Sequence, residues 1–213
     1  MRIVMISDTH NFQDQLRPLP EGDLLIHAGD LTARGTPIEC EKALSWLGEK
    51  AKNFTHGAVV IAGNHDMLAE ENPEAFALYV PDNVTYLNDS GAEIGGLKFW
   101  GSPITPWFHD WAFNRREHEI GKHWAMIPDD TDVLVTHGPP KGILDWVLPH
   151  QESVGCPQLL RRIEEVQPRL HVFGHLHEAR NCTIRGPTTF VNASICDHKY
   201  RPINAPFIQR IGE

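Results

Sequence analysis

The chain has 213 residues, 41% of them hydrophobic and 22% charged, with 28 acidic against 19 basic side chains. That length suits one domain spanning residues 1–213 with a core of its own, and the composition is that of an ordinary soluble globular protein. A formal net charge of −9 disfavours long nucleic acid or an anionic membrane as partner, because holding a polyanion needs a basic surface.

The chain opens on "RIVMISD", an apolar run too short and too soon acidic for an export signal; it reads as a first strand. A second strand follows in "DLLIHAGD", then an amphipathic helix in "PIECEKALSWLGEKA" and a third strand in "HGAVVIAGNHD". This order is that of β-α-β units. The stretch "NVTYLNDSGAEIGGLKFWGSP" predicts antiparallel strands joined through Gly-rich turns, and "DWAFNRREHEIGKHWAMI" predicts a helix. Beyond it come strand "DVLVTHGPP", helix "CPQLLRRIEEVQ", strand "LHVFGH" and late strands in "CTIRGPTTFVNAS" and "APFIQRI". No run approaches the roughly 20 apolar residues that span a bilayer. Cys40, Cys156, Cys182 and Cys196 form no Cys-x-x-Cys pair, which predicts reduced thiols and a cytoplasmic protein.

Polar residues collect where these strands end. "SDTH" carries Asp8 and His10, "HAGD" carries Asp30, and "AGNHD" carries Asn64, His65 and Asp66. "VTHGPP" adds His137, and "HVFGHLHEAR" adds His175 and His177. The carboxyl ends of strands in an open α/β sheet are where ligands gather. Residues at i and i+2 of an extended segment share a face, so Asp8 with His10, and His175 with His177, can converge. Carboxylates, imidazoles and one amide oxygen without sulfur suit Mn²⁺, Fe, Co²⁺ or Zn²⁺. Seven donors are too many for one catalytic ion that keeps open positions; they suit two divalent ions sharing a carboxylate, Mn²⁺ being the leading choice.

The ordered set Asp-x-His, Gly-Asp, Gly-Asn-His-Asp, His-Gly and Gly-His-x-His, from Asp8 to His177, resembles the calcineurin-like metallophosphoesterase superfamily. "SPITPWFHDWAFN", "THGPPKGILDWV" and "HVFGHLHEA" with "TTFVNAS" are similar more narrowly to animal metallophosphoesterase-domain proteins and class III cyclic-nucleotide phosphodiesterases. The resemblance implies an α/β fold, a four-layer αββα sandwich of two mixed β-sheets flanked by helices. It implies that Asp8, His10 and His177 hold one metal, that Asn64, His137 and His175 hold a second, and that Asp30 bridges them. Some animal members lack the histidine matching His175; its presence here implies a full site. A homodimer is a further expectation from this resemblance.

The expected activity is a dinuclear metal-dependent phosphodiesterase, in which a hydroxide bridging the ions attacks phosphorus. His65, next to Asn64, is the expected proton donor to the leaving group, with Asp66 orienting its ring; Asp66 alternatively caps its turn or the following helix. The substrate class is small phosphodiesters, including 2′,3′- or 3′,5′-cyclic nucleotides. A phosphomonoesterase is the alternative enzyme, and a non-catalytic scaffold the alternative outside enzymes, which the complete donor set opposes. In "PWFHDWAFNRRE", Trp107 and Phe108 read equally as a stacking wall for substrate or as packing, and Trp111 and Phe113 read as packing. His27 and His171 read as hydrogen-bonded structural histidines.

Overall fold

The computed structural model describes residues 1–147 and 151–212. In chain order its strands are β1 (Arg2–Ile6), β2 (Leu24–Ala28), β3 (Ala58–Ile61), β4 (Val84–Tyr86), β5 (Ser90–Ile94), β6 (Leu97–Ser102), β7 (Thr105–Pro106), β8 (Asn114–Arg115), β9 (Val133–Thr136), β10 (Trp146–Val147), β11 (Glu152–Ser153), β12 (Leu170–Phe173), β13 (Asn181–Arg185), β14 (Thr188–Asn192) and β15 (Phe207–Arg210). The α-helices are α1 (Pro37–Ala51), α2 (Met67–Glu71), α3 (Pro73–Ala77), α4 (Glu117–Trp124) and α5 (Pro157–Val166).

Two mixed sheets result, as the resemblance implied. One runs β15-β1-β2-β3-β4, with β1 to β4 parallel and β15 antiparallel at an edge. The other runs β13-β14-β12-β9-β6-β5, with parallel central strands and antiparallel edges. Strand alternation explains the layers. Along β1, Ile3 and Met5 join a cluster that includes Phe99, Val133 and Val172 of the second sheet, so they face the gap between sheets. Val4 and Ile6 point the other way, into the cluster that holds Leu44 and Leu47 of α1. A strand buried on both faces reads as a nearly continuous apolar run, as "RIVMI" does after Arg2 and "LLIHA" does apart from His27, whose ring is satisfied by Thr9. Each such side chain contributes roughly 1.5–3 kcal/mol on burial. The same alternation on the second sheet turns Leu134 and Phe173 outward to the cluster holding Trp124 of α4 and Ile163 of α5.

Helix α1 begins where local chemistry dictates. Thr36 and Glu39 form a reciprocal capping box and Pro37 occupies the first turn. Two expectations need correction. The segment around residues 84–102 was expected to be antiparallel throughout, but β4 crosses to the first sheet and pairs parallel with β3, leaving only β5 and β6 as a hairpin. The helix expected over 110–127 is confined to Glu117–Trp124. Phe113 sits in the left-handed region at φ 59°, and Asn114–Arg115 pairs with Thr105–Pro106, so the backbone cannot wind before Arg116. Among the described residues, no helix is long and apolar enough to cross a membrane.

Candidate metal centre

Five parallel strands, β1, β2 and β3 of one sheet with β9 and β12 of the other, end at one edge of the sandwich. Their loops bring the predicted donors together. Atoms of Asp8, His10 and His177 lie within 4.8 Å of one another, as do those of Asp30, His137 and His175, and those of His10, Asp30 and His65. Asp30 belongs to both sides: its Oδ2 is 3.7 Å from His10 Nε2 and 3.3 Å from His137 Nε2. Asn64 Oδ1 stands 2.9 Å from His137 Nε2 and 2.8 Å from His175 Nδ1.

The loops reach this arrangement through strained backbone. Asp8, His10, Asp30 and His175 have φ of 56°, 42°, 54° and 69°, a region that costs a residue with a Cβ on the order of 1–3 kcal/mol and that clusters at functional sites. Gly174 supplies the necessary closeness, since a Cβ there would strike Ser7 Oγ and Asp8 Oδ2. The carboxylate of Asp8 is held in place by the His175 backbone N–H at 3.0 Å and the Ser194 hydroxyl at 2.7 Å.

Whether the donors suit cations follows from their tautomers. Nδ1 of His10, His137 and His177 faces the carbonyl oxygens of Thr32, Ala28 and Asp197 at 3.2, 3.0 and 3.0 Å. A carbonyl only accepts, so each Nδ1 carries the hydrogen and each neutral ring turns a lone pair at Nε2 toward the centre. His10 Nε2 and His177 Nε2 then meet at 3.2 Å, and His137 Nε2 meets the Asn64 oxygen at 2.9 Å. Acceptors facing acceptors repel unless a proton or a cation lies among them. The set therefore fits divalent ions on both sides of Asp30.

The charges agree. Burial would raise the Asp8 carboxyl, but hydrogen bonding and attraction from His177, with His137 and His10, hold it well below the usual carboxylate range. Asp30 is likewise held below that range, burial being overcome chiefly by His137. Burial opposes a charge on His137, yet Asp30 lifts it from 6.5 to about 9, so without metal a proton occupies a cation's place. Burial lowers His10 to about 4 and His175 to about 3, keeping both rings neutral at neutral pH.

His65 and Asp66 share the loop after β3 but do not meet as expected. The His65 ring donates from Nδ1 to the Ala33 carbonyl at 2.8 Å. Both oxygens of Asp66 are taken by the backbone N–H groups of Leu31, Thr32 and Gly63 and the Thr32 hydroxyl, at 3.2, 2.9, 2.8 and 2.7 Å. Asp66 thus ties the β2 and β3 loops together instead of orienting His65. It holds its own turn through Gly63, and its side chain makes no hydrogen bond to α2.

A cavity of about 450 Å³ opens beside these groups, lined by Asp30, Asn64, His65, His175 and His177 with Phe108, Trp111 and Tyr200. Trp111, expected to pack the core, packs instead on the cavity wall: it is 37% exposed and its ring lies 4.4 Å from that of His65. Phe113 is buried, as expected. Phe108 stands 5.2 Å from the His175 ring, whereas Trp107 lies farther out, under Arg116 at 5.0 Å. Sequence reasoning missed Tyr200, whose ring lies 4.9 Å from His10 and 5.1 Å from His177; only its aromatic character within a polar tail marked it. It missed Ser194 as well. His27 and His171 each bond a threonine, Thr9 at 2.9 Å and Thr136 at 2.8 Å.

Comparison with known proteins matches these features. The profile of the family described as calcineurin-like phosphoesterase covers residues 1–179. Metallophosphoesterase domain-containing protein 1 of Homo sapiens is 40% identical over 231 aligned residues, covering 97% of this chain and 70% of that protein. UPF0046 protein K07C11.7 of Caenorhabditis elegans is 38% identical, covering 92% of this chain and 70% of that protein. Among solved structures, TT1561 of Thermus thermophilus superposes with a TM-score of 0.61 at 13% identity, covering 90% of this chain and 88% of that one, a likeness of fold.

Proposed function

The chain belongs to the calcineurin-like phosphoesterase family, whose members are metal-dependent phosphoester hydrolases, and from that premise we propose that it hydrolyses small phosphodiesters, cyclic nucleotides among them, with Mn²⁺ as its ion. Asp8, His10 and His177 are assigned to one ion, Asn64, His137 and His175 to the other, and Asp30 to both.

One observation carries the diester reading over the monoester one. The described residues lining the metal cavity include Glu178, histidines and aromatic rings, and no lysine or arginine. A diester carries a single negative charge, whereas a monoester approaches two near neutral pH. With no guanidinium or ammonium to grip extra phosphate oxygens, this lining favours the monoanion.

When bound, the divalent ions supply the positive charge that lowers the pKa of water and polarises a phosphoryl oxygen. The protein's own residues do the rest. Ionised Asp8 and Asp30 and neutral His10 present lone pairs without first shedding protons, and burial keeps His175 neutral as well. His65 uses Nδ1 to fix its ring on the Ala33 carbonyl, so Nε2 is the nitrogen that passes a proton to the leaving alkoxide, and Trp111 packs against the ring that does so. General acids of this kind contribute roughly 10²–10⁴-fold.

The test compares an aryl phosphodiester with the corresponding monoester under Mn²⁺ and Co²⁺, for the natural protein and for His65→Ala. Faster diester turnover is expected; faster monoester turnover overturns the choice. His65→Ala keeps its metal and loses most activity toward alkyl leaving groups, which need a proton, and least toward p-nitrophenolate, which does not. Equal loss on both removes His65 from the proton transfer.

A further inference from the structure

A second cavity, about 510 Å³, adjoins the metal cavity and shares Phe108, His109 and His175 with it. Its character differs from its neighbour's. Trp107, Phe108, Pro139, Val154 and Leu176 make most of its wall apolar, and the charged residue among its described lining is Glu152. A volume of this size lies within the ~300–1,000 Å³ range of small-molecule sites and takes a single ring system such as a phenyl group or a nucleobase.

The two aromatic walls are held in place. Trp107 N–H donates to the Arg115 carbonyl at 2.9 Å, and Phe108 N–H donates to Asn114 Oδ1 at 3.1 Å. Asn114 is itself anchored on Thr105 Oγ1 at 3.0 Å, and Arg116 lies over the Trp107 ring. Trp107 and Phe108 nevertheless remain 47% and 37% exposed. Large rings fixed by their backbone and left facing a cavity are poised to bury surface against something flat. The position of the cavity says what. His65 stands beside His10, ring centroids 4.7 Å apart, whereas Phe108 stands beside His175.

We propose that this apolar chamber receives the ester group that stays on phosphorus, and that it selects diesters whose retained group is flat, aromatic and uncharged. The inference rests on the diesterase reading above. In hydrolysis, the oxygen of water forms the new P–O bond while the P–O bond to the departing alcohol breaks. The alcohol takes its proton from His65, which is replenished by the proton water gives up. The retained group leaves as a phosphomonoester with its ring last in the chamber. Glu152 and the absence of lysine or arginine among the described lining residues make the chamber hostile to a second phosphate, so polynucleotides are poor occupants.

Two Mn²⁺-supported probes isolate the chamber, bis(p-nitrophenyl) phosphate and methyl p-nitrophenyl phosphate. Both release p-nitrophenolate, so the step at His65 is common to them and only the retained group differs. Phe108→Ala and Trp107→Ala are each expected to lower kcat/KM for the bis ester about tenfold more than for the methyl ester, mainly through KM, the loss of one aromatic contact with its buried area; Phe108→Leu recovers part of it. As a second measurement, phenyl phosphate should inhibit the natural protein about tenfold more strongly than methyl phosphate, and lose that advantage in both alanine variants. Equal losses on the two esters, or equal inhibition by the two monoesters, overturns the chamber's role. Absence of turnover of either diester by the natural protein overturns the diesterase reading itself.

Discussion

Replacing Asp66 with alanine separates a residue that holds loops from one that tunes a catalytic ring. The substitution strips acceptors from three buried backbone N–H groups, those of Leu31, Thr32 and Gly63. The Thr32 hydroxyl keeps a partner in the His65 carbonyl at 3.2 Å. An orphaned buried donor costs about 1–3 kcal/mol, so the three together cost roughly 6 kcal/mol. Against this, burial and then the neighbouring Asp30 raise the Asp66 carboxyl to about 6, and removing so unfavourable a charge returns on the order of 3 kcal/mol near neutral pH. The net loss is about 3 kcal/mol, which for a chain of this length lowers Tm by roughly 6–12 °C. Circular dichroism melts of the metal-free protein at pH 7.5 measure it. Activity of Asp66→Ala should fall by a similar factor on alkyl and aryl esters, because displaced loops disturb Asp30 and Asn64 alike. A Tm shift under about 2 °C, combined with a loss confined to poor leaving groups, would instead show that Asp66 works through His65 and would refute this reasoning.

Three further outcomes follow from the same geometry. His137 is raised from 6.5 to about 9, so its stabilising protonation is fully present below pH 6.5 and lost as pH rises through 9; metal-free Tm should fall across that window, and saturating Mn²⁺ should flatten the fall by taking the proton's place. A rise in metal-free Tm there would contradict the assignment. Gly174→Ala forces a Cβ against Ser7 and Asp8, and is expected to weaken Mn²⁺ binding by about 10–100-fold, the usual penalty for disturbing what orients a ligand; calorimetric titration with Mn²⁺ reads the change. His175→Ala should bind one ion per chain where the natural protein binds two, counted by elemental analysis after dialysis, and an unchanged count would remove His175 from the donor set.

Much of the molecule is legible along the chain because parts of it are locally determined. A helix over Pro37–Ala51 follows from amphipathic spacing, and its cap lies within the same few residues. Strands β1, β2, β3, β9 and β12 announce themselves as mostly apolar runs stopped by polar loops, since a strand buried on both faces admits a polar side chain only where it finds a partner, as His27 and His171 do on Thr9 and Thr136. Those stops are also where the donors stand, so the gathering of Asp8, Asp30, Asn64, His137 and His175 is expected from the sequence.

Partner choice and side-chain direction were settled only in three dimensions. Val84–Tyr86 carries the same apolar pattern whether it joins a hairpin or crosses to β3, because a pattern reports which faces are buried and not by what. Asp66 adjoins His65 in sequence, yet its oxygens turn to donors more than thirty positions away on the β2 loop. Ser194 reaches Asp8 across 186 positions, and Tyr200 comes to His10 and His177 from a tail with no strand or helix pattern of its own. The chain alone thus determined the helix over Pro37–Ala51 and the five donor-bearing strands with the residues at their ends, through short-range periodicity and turn chemistry. Which of those residues touch was decided by the packing of one sheet on the other, a long-range matter that no local window of sequence contains.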